Sequence, residues 1–377
     1  MTATMSGRPG PARTQDGPAG ALAERLAPLL DAAPEATGTA LAAVRAGRRL
    51  LLCGGETARA GGRPVDADTR FEIGSVSKTF TALLLAEAVV RGEVRYDDPI
   101  AWYLPAGAAP AHRSGEPITL LHLATHTAGL PRLPSGFLAT ALPAWWTTPY
   151  AGYSEARLLG SLGSTRVRAR PGSRMRYSNL GVGLLGQLLA RAAGTDYPEL
   201  LDARVCRPLG LTRTGCDPGP GQATGYSRGR PRPPWLIPAL PGAGAVRSSA
   251  RDLLRYLEAL LDPDRARALA PALAEVRRPR LRLPRTGDGL CLVWNLRPRP
   301  GHDLLSHSGG TRGFTVFVGF CPQTRTALAA LTNTTPSPGS HFVQDAYSCF
   351  RALAAPAEER AEPVAAGVSR WPGRTSG

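Results

Sequence analysis

The sequence predicts an α/β (α+β) protein: an antiparallel sheet drawn from both ends of the chain and flanked by helices, with a mainly helical region inserted between them. Three observations carry that expectation. Two strand-like runs, Gly38 to Val44 and Arg48 to Cys53, stand near the start. A long middle stretch has helical spacing. Four short β-rich runs separated by turns then return near the end: Leu290 to Leu296, Asp303 to His307, Phe314 to Phe320 and Thr326 to Thr332.

Residues 1–20 are rich in Pro, Gly, Ala and Thr and read as a disordered tail. Ala21 to Leu30 spaces Leu22, Leu26, Leu29 and Leu30 as a helix does. Ala46-Gly47 suits the tight turn of a hairpin between the first two strands. Thr79 to Arg91 is apolar or small almost throughout and lacks Gly and Pro, and Gly92 supplies a stop. That predicts a buried helix of about three turns. Tyr96 to Ile100 is a turn. Ile118 to Leu130 contains a short helix ended by Gly129. His122 and His126 lie four apart there, a spacing that can bind a metal, but no third ligand and no intervening acid accompanies them. Both read as structural, and no metal is expected.

Pro134 to Pro149 is loop-rich, and its paired Trp145 and Trp146 belong either to the core or to the mouth of a pocket. Arg170-Pro171-Gly172-Ser173 is a turn, Leu180 to Ala193 a helix stopped by Gly194, and Gln222 to Gly244 a long irregular surface loop. Ser249 to Leu261 is an amphipathic helix that Ser248 or Ser249 can cap. Phe342 to Ala354 closes the fold, and the polar stretch beyond Pro356 reads as frayed. The resulting division is a tail over 1–20, a sheet region over 21–75 and 245–356, a helical region over 76–244, and a second tail over 357–377.

With 377 residues, 43% of them hydrophobic and 20% charged, the chain has the make-up of a soluble globular protein. The net charge of +16 and pI near 10.5 raise the question of nucleic acid. The arginines are scattered, however, the densest run being Arg277 to Arg285, and no nucleic-acid-binding motif accompanies them. No nucleic-acid partner is expected, and the charge suits an anionic substrate equally well. The six cysteines, Cys53, Cys206, Cys216, Cys291, Cys321 and Cys349, show no Cys-x-x-Cys or metal pattern. Cys206 and Cys216 can pair; most of the others sit in apolar runs as buried thiols. Residues 1–20 contain no apolar signal core, and no run approaches a membrane span. The expectation is a cytoplasmic protein without a membrane partner, unless an export segment has been removed.

Lys78 is the most informative residue. Of 45 basic residues, 44 are arginine and this is the single lysine. A bias that replaces lysine wherever a fixed cation serves leaves it only where arginine fails. Guanidinium stays protonated, whereas a desolvated ammonium can release its proton. Ser75 lies three residues upstream, on the same face of a helical turn. A serine beside a tunable amine at a helix start is an activated nucleophile, and the helix dipole favours its alkoxide.

Two further motifs follow in order: Tyr177-Ser178-Asn179 and His307-Ser308-Gly309-Gly310. With Ser75-Val76-Ser77-Lys78 they resemble the Ser-x-x-Lys, Tyr-x-Asn and Lys-Thr-Gly/His-x-Gly triplet of the serine β-lactamase and penicillin-binding superfamily. The likeness is to its class C-like branch of esterases, D-aminopeptidases and transacylases. Phe71 to Gly74, Leu123 to Pro131 and Arg170 to Gly172 agree as flanks, and the resemblance covers roughly residues 25 to 355. It implies a β-lactamase-like fold in which Ser75 forms an acyl-enzyme, Lys78 takes the serine proton or holds a phenolate, and Tyr177 is the general base. Asn179 is expected to bond Lys78 and the acyl amide, while His307, Ser308 and Gly309 orient the substrate. The N–H groups of Ser75 and Gly310 are expected to form the oxyanion hole.

Histidine at 307, where dedicated β-lactamases carry lysine, implies a neutral or switchable donor. The expected activity is a cofactor-free acyl transfer from a small ester or amide to water, an amine or an alcohol, with a role in secondary metabolism by analogy. A true β-lactamase or DD-peptidase and a non-enzymatic ligand-binding relative are the alternatives.

Overall fold

The computed structural model describes residues 18–283, 286–336 and 340–356; the tail expected over 357–377, and residues 1–17 of the other, lie outside them. The described chain opens in a helix, Pro18–Leu26, inside the stretch expected to be a tail. Pro28 then starts a separate turn of helix, Pro28–Asp31. The single helix expected to Leu30 is broken there because proline cannot donate to the preceding turn.

Strands β1 (Gly38–Arg45) and β2 (Arg48–Gly55) form the expected hairpin. Its turn places Ala46 at φ 47° and Gly47 at φ 83°, the left-handed pair that a two-residue hairpin needs. Strand β3 (Arg70–Glu72) leads into the helical region, where a small hairpin forms from β4 (Gly225–Ser227) and β5 (Arg230–Arg232). The long loop expected over 222–244 thus holds regular structure. Strand β6 (Arg247–Ser249) pairs with β3, apart from the main sheet. The remaining strands are β7 (Leu281–Arg282), β8 (Gly289–Leu290), β9 (Asn295–Arg299), β10 (His302–Gly310), β11 (Thr315–Cys321) and β12 (Thr326–Thr332). The expected strand Leu290–Leu296 is interrupted, with Val293 at φ 67°.

The main sheet has eight strands in the order β2-β1-β12-β11-β10-β9-β8-β7, and the pairings are antiparallel. The chain's two ends therefore meet at β1 and β12, where Thr39 faces Thr332 and Arg45 faces Thr326. Side chains alternate across this sheet. Ala40, Ala42 and Val44 point to the core under helices Ser77–Val90 and Ala250–Leu261; Leu41 and Ala43 point to a second core with Leu22, Phe342, Phe350 and Leu353 of the terminal helices. Ser249 is the cap of Ala250–Leu261, accepting from the Asp252 N–H at 3.2 Å. The helix Ser77–Val90 is buried over most of its length, as its apolar run requires, and Gly92 at φ 72° follows its end. Among the described residues, no helix is long and apolar enough to cross a membrane.

Candidate active site

Ser75 sits in a single 3₁₀ turn, Gly74–Val76, directly before the helix Ser77–Val90. Gly74 takes φ 50°, and a Cβ there would lie 2.7 Å from the Gly310 nitrogen. A Cβ on Gly309 would lie 2.0 Å from the Ile73 carbonyl and 2.9 Å from the Ser75 nitrogen. Only glycines let the end of β10 press backbone to backbone against the turn that carries the serine. That contact brings the backbone of Gly309 and Gly310 against the turn of Gly74 and Ser75.

The three expected reacting groups converge. Lys78 Nζ donates to Ser75 Oγ at 2.9 Å, and the Tyr177 hydroxyl donates to the same oxygen at 2.7 Å. Tyr177 arrives from a segment 102 residues away, just before the helix Asn179–Ala192, which Ser178 caps through the Gly181 N–H. Lys78 is fully buried, and its ammonium also donates to the Ala243 carbonyl at 2.6 Å. Burial lowers its pKa; Tyr177 opposes this and Arg132 adds to it. Burial pushes the Tyr177 phenol up, yet the charge and hydrogen bond of Lys78, with help from Ser75 and Arg132, outweigh it and hold the phenol below the ordinary tyrosine value. Lysine and tyrosine are thus driven toward exchanging one proton beside the serine oxygen.

His307 lies buried on β10, and Ser308 next to it is exposed. Its Nδ1 is 2.8 Å from the Ser308 carbonyl, so that nitrogen carries the proton. Burial first, and then the Lys78 charge, push its pKa down to about 3. The ring is therefore neutral rather than switchable near pH 7, and its one N–H points at the carbonyl of the next residue. The expectation that His307 donates to a substrate is corrected on that account: its Nε2 is left as an acceptor.

Asn179 also departs from expectation. Its Nδ2 donates to the Tyr150 hydroxyl at 3.3 Å, while its buried Oδ1 has no partner and Lys78 bonds Ser75 and Ala243 instead. The sequence did not mark Ala243, because a backbone acceptor leaves no side-chain signature. His122 and His126 are not a helical pair: the helix Leu120–Ala124 ends before His126, which takes φ 57°. His122 Nδ1 accepts from the Thr119 N–H at 3.2 Å, and His126 Nδ1 from the Ser178 N–H at 3.3 Å. His126 is buried with its ring 4.7 Å from that of Tyr177, so this structural histidine also walls the site. Among the described residues no cluster of His, Cys, Asp or Glu could hold a metal ion. Cys206 and Cys216 are free thiols.

A second polar cluster, which the sequence did not reveal, lies on the strands next to the Ser75 turn. Glu72 and Arg247 face each other across β3 and β6, both buried. Glu72 accepts from the Trp235 N–H at 2.7 Å and from the Thr311 hydroxyl at 2.7 Å. These bonds tie the 222–247 segment and the turn after β10 to the strand that leads into Ser75.

A family model described as Beta-lactamase matches residues 25–348. The chain is 30% identical over 322 residues to the D-alanyl-D-alanine-carboxypeptidase/endopeptidase AmpH of Escherichia coli, covering 81% of each chain. It is 26% identical over 355 residues to a beta-lactamase of Pseudomonas fluorescens, covering 84% of this chain and 93% of that one. Among solved structures, a class C beta-lactamase superposes with a TM-score of 0.78 at 21% identity, over 90% of this chain and 98% of the other.

Proposed function

The chain belongs to the Beta-lactamase family, a family of serine hydrolases, and from that premise we propose that it forms a covalent acyl-enzyme on Ser75 from a small ester or amide. The observation that carries this reading is the position of Ser75 Oγ, 2.9 Å from Lys78 Nζ and 2.7 Å from the Tyr177 hydroxyl. In the reactive form the phenol is ionised beside the ammonium, and Ser75 O–H donates to it. The serine proton passes to Tyr177 as Oγ attacks the carbonyl carbon. The amides of Ser75 and Gly310 stabilise the oxyanion. Tyr177 then returns the proton to the departing alcohol or amine, which leaves the acyl group as a serine ester. A water, amine or alcohol delivers its proton to Tyr177 as it attacks the ester carbonyl, and Tyr177 passes that proton to Ser75 Oγ as the acyl bond to serine breaks, which restores the starting state. Asn179 and the β10 edge at Ser308 and Gly309 orient the substrate in this scheme.

Neutral His307 argues for an ester or amide other than a β-lactam, because no permanent cation stands at that position to meet the antibiotic's carboxylate. A second reading, a DD-peptidase, draws on the 30% identity to AmpH. Intact-protein mass spectrometry separates them, using p-nitrophenyl esters, nitrocefin and a D-Ala-D-Ala peptide with and without amine acceptors. The proposed activity adds the ester's acyl mass at Ser75 and releases it faster when an acceptor is present. Turnover confined to the peptide favours the second reading, and turnover confined to nitrocefin favours a β-lactamase. No added mass from any probe ends the acyl-enzyme reading.

A further inference from the structure

The turn that follows the oxyanion strand, Thr311 to Phe314, carries Arg312 over two indoles. Its guanidinium carbon is 5.4 Å from the centre of Trp145 and 5.7 Å from that of Trp146. Trp146 is 67% exposed, so this stack stands at a surface rather than in the core. The turn is fixed by Thr311, which bonds Glu72, and by Gly313, whose carbonyl accepts from Tyr226 at 3.2 Å on β4. Arg312 is held two residues beyond Gly310.

Its neighbours are equally specific. Tyr150, which accepts from Asn179, has its ring centre 5.4 Å from that of Trp235. Trp235 lies close to Gly244 and the Ser75 turn, since a Cβ on Gly244 would be 3.8 Å from Trp235 Nε1 and 3.8 Å from the Gly74 carbonyl. Aromatic rings thus stand both beside the nucleophile's turn, at Trp235 and Tyr150, and under Arg312, at Trp145 and Trp146. Arg232 at the end of β5 lies near the same point: burial depresses the Arg312 pKa, Arg232 depresses it further, and Tyr150 opposes both. The Nε of Arg232 is buried and unpartnered. Among the described residues, neither Arg312 nor Arg232 has a carboxylate partner, although arginines elsewhere pair repeatedly with Asp and Glu. A guanidinium stacked on indole keeps its N–H edge free for bidentate contact with a planar anion.

We propose that Arg312, presented on Trp145 and Trp146 and backed by Arg232, is a specificity-determining residue that receives a carboxylate carried on the acyl part of the substrate. The inference rests on the acyl-enzyme reading and adds a substrate class to it: half-esters and half-amides of dicarboxylic acids, or acyl groups of equivalent charge. The carboxylate binds equally in ground and transition states, so its loss raises KM and leaves kcat nearly unchanged.

The test pairs p-nitrophenyl hemiglutarate with p-nitrophenyl pentanoate, which match in length and differ in charge. The wild type should prefer the anionic ester by roughly tenfold in kcat/KM at low salt, with the preference shrinking as ionic strength rises. Arg312→Gln should abolish the preference by raising KM for the hemiglutarate alone, and Arg312→Lys should keep part of it. Equal use of both esters by the wild type overturns the inference. So does a parallel fall on both in Arg312→Gln, which makes the arginine a clamp for the Trp145-Trp146 loop. A wild type that gains no acyl mass from either ester defeats the acyl-enzyme reading itself, and the inference falls with it.

Discussion

Arg247 and Lys78 are two buried cations, and the protein surrounds them in opposite ways. Arg247 donates to Gln222 and to the carbonyls of Ala245, Cys216 and Trp235, and lies 3.6 Å from the Glu72 carboxylate. Lys78 has a serine oxygen, one carbonyl and the Tyr177 phenol beside it, and no carboxylate pairs with it among the described residues. The first cation is satisfied and stays charged. The second is desolvated, so its protonation is labile and it can exchange one proton with Tyr177. An arginine at 78 would bring five donors to a place with fewer acceptors, and would keep its proton. The comparison explains why lysine survives at this one position while arginine serves for every other cation.

The largest effect that can break this contrast is chemical. Ser75→Ala should abolish acyl adduct formation in intact-protein mass spectrometry. Lys78→Arg should lower kcat/KM by about 10³-fold or more, because charge is kept while proton exchange is lost. A Lys78→Arg enzyme with most of its turnover would show that position 78 needs only a cation. Tyr177→Phe comes next. It removes the phenol but keeps the ring against His126, and should lower kcat/KM by roughly 10²–10⁴-fold while thermal melting changes little. Retained activity would move the base to Lys78 alone.

Stability sharpens the same comparison from the other side. Arg247→Met leaves Glu72 buried without its partner and should cost about 3–5 kcal/mol in urea denaturation. Lys78→Met removes an under-satisfied charge and should be neutral or stabilising, within about 1 kcal/mol. Equal losses at both positions would mean that Lys78 is better compensated than its hydrogen bonds indicate.

The fold was legible where local chemistry and periodicity agreed. Phe342–Ala354 and Thr326–Thr332 stand where their patterns put them, and Ala46-Gly47 turns as a hairpin. Leu290–Leu296 failed because an apolar run does not distinguish a strand from a buried bend. Ser75, Lys78 and Tyr177 could be named from motifs, since each reacting group is a side chain at a fixed local spacing. The Glu72–Arg247 pair, the Ala243 acceptor and the Arg312 stack could not. They are made by contacts between distant segments, and one of them uses a backbone carbonyl as its acceptor. The direction of the His307 ring was hidden for a related reason: it depends on a bond to its own strand.

The smallest expected effect bears on what surrounds the unsatisfied cation. His126 is buried, and its pKa is pushed down to about 3 by burial first and then by the charge on Lys78 and by His307. In the unfolded chain it titrates near 6.5. Above that value both states leave it neutral, and its contribution to stability is full. As pH falls from about 6.5 toward 3, the unfolded state takes up a proton that the folded state refuses. Stability should then decline by roughly 1.4 kcal/mol per pH unit for this group, with His307 adding a similar slope. Asparagine tolerates the left-handed backbone at 126 and can accept the Ser178 N–H, so His126→Asn preserves the local structure. Denaturation across pH 4–6.5 should show the variant's slope reduced by about one histidine's share. An unchanged slope would mean that His126 accepts a proton beside Lys78, and that the site is less hostile to added positive charge than the contrast with Arg247 requires.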